Sequence, residues 1–172
     1  EIHGKTLGIV GLGAIGKEVA TRAKGFGLNV IAFDKYVNQE FLNENNYIKI
    51  VDSFEELAKQ ADIITLHVPH TPETEDLINS NIINNCLKKG VIIVNTARGK
   101  LVNLDDLTQG LDNHIIGGYL ADVLDIEPMP SPYPLKDKEN VLITPHIGSR
   151  TYESVQRQGT FAVRNLMELV SK

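Results

Sequence analysis

Polar side chains that could do chemistry follow three apolar runs of this sequence, each close to the point where a predicted strand ends. Arg98 comes three residues after the run that ends at Asn95. Asp122 and Glu127 follow the next apolar run, and His146 follows the last one. Because ligands of open parallel sheets bind outside the carboxyl ends of the strands, we expect these side chains to lie along one edge of a sheet.

These residue types suit proton transfer beside a bound carboxylate. Histidine exchanges a proton near neutral pH, so His146 could act as general acid or base at an alcohol or carbonyl oxygen. A carboxylate such as Glu127 would stabilise the imidazolium form. The guanidinium of Arg98 presents a planar fork that suits a substrate carboxylate. The set predicts a 2-hydroxy acid and its 2-oxo acid as substrate pair, provided that a hydride carrier binds beside it.

Each of these three residues also has an ordinary structural role open to it. Arg98 could be a solvated surface residue, and Glu127, directly before Pro128, could belong to a plain loop. His146 could cap the final helix or bond a loop carbonyl. Their shared position after strand ends favours the chemical interpretation.

A hydride carrier is indicated by the six residues GLGAIG that start at Gly11, which fit G-x-G-x-x-G between a strand and a helix. Gly11 would make the tight turn, Gly13 would let the backbone approach a pyrophosphate, and Gly16 would let the helix pack closely on the strand. Asp34 ends the second strand, where a carboxylate binds ribose hydroxyls and repels a 2′-phosphate, so NAD is favoured over NADP. A glycine-rich packing turn without a ligand is the alternative, and the cation of Lys35 could attract that phosphate.

The elements that must position these residues alternate between apolar strands and helices, which predicts a parallel sheet covered on both faces, a doubly wound α/β fold. On the first helix Ile15, Val19 and Ala23 mark the face expected to pack. Ser53 and Glu56 form a capping box. Strands are predicted over residues 7–10, 29–34, 47–51, 63–68, 91–95, 115–122 and 141–144, and further helices from 53 to about 61 and over 80–87, 104–111 and 152–170, with an ordered loop over 127–135.

Composition and charge exclude several classes of function. The chain has 172 residues, 42% hydrophobic and 23% charged, which predicts one globular domain over residues 1–172. A net charge of −5 without a basic cluster argues against nucleic-acid binding. The single cysteine, Cys86, fits a packed position in a cytoplasmic protein, and no apolar run is long enough to span a membrane. The remaining histidines lack metal-ligand spacing, so no metal site is expected.

Five segments carry a further signal: GKTLGIVGLGAIG, LHVPHTPETEDLIN, VNTARGKLVN, ADVLDIEP and NVLITPHIGSRT. In order and spacing they resemble the nucleotide-binding domain of the D-isomer-specific 2-hydroxyacid dehydrogenases. The resemblance implies that His146 is the general acid/base, that Glu127 is its partner, and that Arg98 anchors the substrate carboxylate or carbonyl. It also implies the cofactor contacts, with Gly13, Ala14 and Ile15 at the diphosphate, Val68 and Pro69 at the adenine, and Thr96, Ala97 and Asp122 at the nicotinamide.

Members of that family carry a second, smaller domain that forms the other wall of the substrate cleft, so we expect this chain to belong to a longer protein. The resemblance also implies a homodimer. Two rival functions remain open. An NAD-sensing corepressor module would need the glycine loop and Asp34 but not His146. An S-adenosylmethionine methyltransferase could use a similar first loop, but methyl transfer needs no proton shuttle beside an arginine anchor.

Overall fold

One parallel sheet of seven strands organises the computed structural model, which describes residues 1–171. The strands are β1 Thr6–Val10, β2 Asn29–Phe33, β3 Ile48–Ile50, β4 Ile63–Leu66, β5 Val91–Asn95, β6 Ile116–Ala121 and β7 Val141–Ile143. They lie in the order β3-β2-β1-β4-β5-β6-β7, so the chain winds outward from β1 and then from β4 in the opposite direction. The predicted doubly wound α/β fold is confirmed, and residue 172 of the predicted domain lies outside the described residues.

Within residues 1–171 the structure has six α-helices, five of them at positions that the alternating pattern predicts. They are α1 Ala14–Gly25, α2 Gln39–Glu44, α3 Phe54–Gln60, α4 Ser80–Asn85, α5 Leu104–Asp112 and α6 Tyr152–Val170, with a 3-10 turn at Gly99–Leu101. The short helix α2 and the 3-10 turn were not predicted, because α2 buries no residue that would mark an apolar face and the 3-10 turn spans only three residues.

Polar caps fix where the short helices begin. Ser53 Oγ accepts the Glu56 N–H at 3.1 Å, as the capping box predicts. The reciprocal bond falls one residue earlier than in the standard box, because the Glu56 carboxylate accepts the N–H of Asp52 at 3.1 Å. Asn38 caps α2 by accepting the Phe41 N–H at 2.7 Å.

The apolar core has two parts, one on each face of the sheet. Alternate residues of β1 divide between them, with Ile9 in the part beneath α1 and Val10 in the part beneath α3. Ile9, Ile64 and Ile93 on the central strands are fully buried. Each such side chain stabilises the fold by about 1.5–3 kcal/mol. The core therefore fixes the central strands, and with them the loops at their carboxyl ends.

The face of α1 that packs matches the predicted one in part, because Ala23 is buried and Val19 packs against the core but Ile15 does not. Gly16, Ala20 and Ala23 are its buried residues, whereas Ile15 is 63% exposed. A Cβ at position 16 would lie 2.0 Å from the carbonyl oxygen of Gly11. The helix therefore turns its smallest residues toward the sheet in order to approach it closely, and the prediction for Ile15 was wrong.

The final helix α6 has no buried residue. Its N-terminus is capped by Thr151, whose hydroxyl accepts the Ser154 N–H at 3.1 Å. Phe161 and Leu166 are two of its several exposed apolar side chains. Within residues 1–171 no helix has both the length and the apolar character needed to cross a bilayer.

Candidate cofactor and catalytic site

The glycine loop joins β1 to α1 in a conformation that needs glycine. Gly11 has φ +96°, in the left-handed region, and a Cβ there would lie 2.9 Å from Val68 Cγ1. At Gly13, the N-cap of α1, an added Cβ would meet no atom of the described residues within 4 Å. The first N–H groups of α1 have no side-chain cap. An uncapped helix N-terminus beside open space fits a diphosphate, because those N–H groups and the helix dipole favour an anion.

Asp34 ties this loop to the neighbouring strand. It follows β2 directly, and its two carboxylate oxygens accept the N–H groups of Leu12 and Tyr36, each at 2.6 Å. A carboxylate offers about four lone-pair sites, so sites remain for ribose hydroxyls. The same side chain therefore shapes the glycine loop and presents an acceptor where a ribose would lie.

Val68 and Pro69, predicted at the adenine, follow β4 on the other side of the glycine loop. Val68 is half-buried against Gly11, and Pro69 is exposed. The Thr74 hydroxyl donates to the Pro69 carbonyl at 2.7 Å, which folds the start of this loop back on itself. Ala14 and Ile15 are the first two residues of α1, and both are exposed beside the loop.

The buried side-chain amide of Asn95 fixes the backbone of the loop after β5. Asn95 is fully buried; its Nδ2 donates to the Arg98 carbonyl at 2.9 Å and its Oδ1 accepts the Ala97 N–H at 3.1 Å. Asn95 Nδ2 also donates to the Tyr119 hydroxyl at 3.2 Å. Burial raises the pKa of Tyr119 to about 12, so this hydroxyl stays neutral. Thr96 and Arg98 are thereby presented at the surface on a fixed backbone.

The loop after β5 also touches the loop after β6. A Cβ at Gly99 would lie 2.0 Å from the Leu124 carbonyl carbon and 2.2 Å from the Asp125 nitrogen. Only a glycine permits this backbone contact, which brings the Arg98 loop against the segment that leads to Glu127.

Asp122 organises the loop after β7. Its carboxylate accepts the N–H of Ile147 at 3.0 Å and that of Gly148 at 2.8 Å, and it also accepts the hydroxyl of Thr144. Burial acts to raise the pKa of Asp122, but these three hydrogen bonds lower it more, so it stays below its usual value. These contacts lie on both sides of His146, which has φ +54°. The role of Asp122 at the nicotinamide, implied by resemblance, stays a prediction beside this structural one.

His146 and Glu127 form a hydrogen-bonded pair. His146 Nδ1 lies 2.7 Å from Glu127 Oε2, and Glu127 Oε1 accepts the Leu124 N–H at 2.8 Å. The pKa of Glu127 is lowered, first by the Leu124 hydrogen bond and then by the one from His146. The pair borders a cleft of about 410 Å³ that Met129 and Arg150 also line. With Nδ1 facing the carboxylate, Nε2 is the ring nitrogen left for a substrate.

The sheet order brings the predicted site residues to one edge. The cofactor candidates come from loops after β2, β1, β4, β5 and β6, and the chemical candidates come from loops after β5, β6 and β7, which are neighbours in the sheet. Sequence reasoning missed Asn95 and Tyr119. A polar residue at the buried end of the run VIIVN was an available signal for Asn95, because buried amides need hydrogen-bond partners.

This arrangement defines the chain as an α/β dinucleotide-binding domain with a histidine–carboxylate pair and an exposed arginine at the far end of the same edge. The model of the family described as "D-isomer specific 2-hydroxyacid dehydrogenase, NAD binding domain" matches residues 1–148. The chain belongs to this family, as the five segments predicted, and its cofactor is NAD.

Individual proteins agree with the family match. The chain is 42% identical over 170 residues to the D-3-phosphoglycerate dehydrogenase of Methanocaldococcus jannaschii, an alignment that covers 99% of this chain and 32% of that protein. The crystal structure of the TT0316 protein from Thermus thermophilus superposes with a TM-score of 0.89 at 40% identity, covering 99% of this chain and 52% of that one. The D-lactate dehydrogenase with NAD+ from Lactobacillus jensenii gives 0.87 at 31% identity, covering 97% and 53%. The chain therefore spans about half or less of the length of these proteins.

Proposed function

We propose that this chain is the cofactor-binding part of an enzyme that moves a hydride between NAD and a 2-hydroxy acid or its 2-oxo acid, specific for the D-isomer. The observation that carries the proposal is the His146–Glu127 pair, with Nδ1 2.7 Å from the carboxylate, at the end of the edge that begins at the glycine loop. An NAD-sensing module would need the loop and Asp34 but no such pair.

When bound, the nicotinamide cofactor would supply a hydride in its reduced form, NADH, or accept one in its oxidised form, NAD+. His146 Nε2 donates a proton to the substrate oxygen during reduction and removes it during oxidation. Glu127 orients the ring through Nδ1 and stabilises the imidazolium form. Arg98, on the backbone that Asn95 holds, binds the substrate carboxylate through its planar guanidinium.

The cofactor is held from the adenosine end to the nicotinamide end along the same edge. Gly11, Gly13, Gly16 and the N-terminus of α1, with Ala14 and Ile15, bind the diphosphate. Asp34 binds the ribose hydroxyls and repels a 2′-phosphate, which makes NAD the preferred dinucleotide over NADP. Val68 and Pro69 border the adenine, and Thr96, Ala97 and Asp122 border the nicotinamide.

Further proposals concern assembly and location. Cys86 is the single cysteine, and it is buried and free, which supports a reducing compartment such as the cytoplasm. The net charge of −5 supports a small-molecule substrate rather than a nucleic acid or an anionic membrane as partner. A homodimer is proposed from the family resemblance, and the molar mass of the full-length protein in solution tests it.

The test of the function uses the full-length protein, with NADH oxidation followed during reduction of glyoxylate, hydroxypyruvate and pyruvate. His146→Ala should lower turnover by about 10²–10⁴-fold with NADH affinity unchanged, the usual scale for removal of a general acid–base. His70→Ala is the matched control, because His70 contacts only an exposed Glu75 at 3.8 Å among its possible ion-pair partners in residues 1–171. Near-normal turnover of His146→Ala would overturn the assignment of the proton shuttle.

A further inference from the structure

The ion pair between Lys35 and Glu73 joins two loops that flank the glycine loop. Lys35 follows Asp34 directly after β2, and Glu73 lies in the loop between β4 and α4. Lys35 Nζ contacts Glu73 Oε2. Since β1 lies between β2 and β4 in the sheet, this pair reaches across the end of the strand that carries the glycine loop.

The position of Lys35 bears directly on cofactor choice. In dinucleotide-binding domains an acidic side chain after the second strand binds the ribose 2′-hydroxyl, whereas a nearby guanidinium accommodates a 2′-phosphate. Asp34 supplies the acid here, and Lys35, the next residue, supplies a cation at the same place. These neighbours would favour opposite cofactors if both side chains were free to reach the ribose.

We propose that Glu73 is a specificity-determining residue for the cofactor, because it holds the Lys35 ammonium away from the 2′-phosphate position and so preserves the choice of NAD. The inference rests on the proposed preference that Asp34 gives. Within residues 1–171, Glu73 is the one carboxylate within ion-pair distance of Lys35. The negative charge of Glu73 also offsets the positive charge of Lys35. The pair therefore presents no net positive charge beside Asp34, where the ribose would bind.

The pKa values of Lys35 and Glu73 shift in the directions expected for an ion pair. The hydrogen bond with Glu73 raises the pKa of Lys35, and the same bond lowers the pKa of Glu73. Their side chains are 57% and 71% exposed. Exposed pairs contribute little to stability, so substitution of either residue leaves the fold intact and changes mainly the local charge.

The test is a double-mutant cycle on the full chain, in which the dissociation constants of NADH and NADPH are measured by titration at low and at high salt. Glu73→Gln should tighten NADPH binding by about two- to fivefold, the scale of an exposed ion pair, and leave NADH binding unchanged. In a Lys35→Gln background the same substitution should leave NADPH binding nearly unchanged. The gain should shrink at high salt, because exposed charges are screened.

Glu75→Gln is the matched control, because it removes the same charge two residues along the same loop, where the partner is His70. An equal gain from Glu75→Gln, or an equal gain from Glu73→Gln with and without Lys35, would show that only loop charge matters and would overturn the proposal. Absence of any gain from Glu73→Gln would overturn it as well. Equal affinity of the unchanged chain for NADH and NADPH would instead overturn the NAD preference itself, which keeps the two failures distinct.

Discussion

Replacement of Asp122 should displace His146, the candidate proton shuttle, although His146 itself is not substituted. The Asp122 carboxylate accepts the N–H groups of Ile147 and Gly148 at 3.0 and 2.8 Å, directly after His146. Asp122→Ala removes both acceptors, together with the acceptor of the Thr144 hydroxyl. The loop would then lose the contacts that hold His146 at its positive φ of +54°.

The size of the effect follows from two opposing terms. A left-handed conformation costs a residue with a side chain roughly 1–2 kcal/mol. The two backbone hydrogen bonds, at about 1 kcal/mol each in this exposed loop, offset that cost, and the bonds of Thr144 and His146 add to them. With about 2 kcal/mol removed, the loop spends most of its time with His146 misplaced, and turnover should fall by about tenfold to thirtyfold. Asp122→Asn keeps one acceptor but places an amide against one of the N–H groups, so its loss should be smaller.

The assay has a structural and a kinetic part. Hydrogen exchange at the amides of Ile147 and Gly148 should accelerate in Asp122→Ala, and turnover in the full-length protein should fall. Asp125→Asn is the control, because its carboxylate accepts the Tyr133 hydroxyl at 2.7 Å on the same loop and, within residues 1–171, forms no hydrogen bond with the segment after β7. Unchanged amide protection together with unchanged turnover in Asp122→Ala would refute the reasoning.

Three further outcomes are expected. Gly16→Ala places a Cβ 2.0 Å from a carbonyl oxygen of the glycine loop and should cost about 1–3 kcal/mol in urea unfolding and weaken NADH binding, whereas Gly25→Ala, whose Cβ meets nothing within 4 Å, should do neither. Glu127→Gln should lower turnover, since the ring of His146 loses the carboxylate that orients it through Nδ1; unchanged turnover would contradict the pairing. The pKa of Asp62 is lowered, first by a hydrogen bond from a β1 backbone N–H. The ionised carboxylate therefore stabilises the folded state above the ordinary pKa of 3.8, and this stabilisation is lost as the pH falls through the lower pKa of the folded state. The free energy of unfolding of Asp62→Asn should depend less on pH in that acid range.

The strand and helix pattern was predictable because burial of a parallel sheet on both faces demands apolar runs. Val91–Asn95 and Tyr152–Val170 have the predicted bounds, and the other predicted elements differ at their ends by a few residues. The failure at Ile15 has a physical cause. Apolar periodicity selects the largest side chains, but close approach of α1 to the sheet requires the smallest, so the glycine and alanine face packs inward.

Hydrogen bonds between a side chain and a backbone group distant in sequence could not be predicted from the sequence. The Asp122 carboxylate and the amides that it binds are 25 and 26 residues apart, and no period or spacing records such a pairing. Asn95 is different, since its own place at the end of a buried run required local partners, which prove to be Ala97 and Arg98. Residue types at strand ends were therefore predictable, whereas the bonds that orient them were not.

The order of the strands explains why a single sheet can serve both halves of the proposed reaction. Along the carboxyl edge, Asp34 follows β2, the glycine loop follows β1, and Val68 follows β4. Arg98 and His146 come after β5 and β7, on the side to which the nicotinamide must point if the adenosine lies at Asp34. The winding of the sheet outward from β1 and β4 thus places the His146–Glu127 pair toward one end of the carboxyl edge and the Lys35–Glu73 pair toward the other. Substitutions at one end should therefore change turnover and those at the other should change cofactor choice, with little coupling between them, because the sites share no contact.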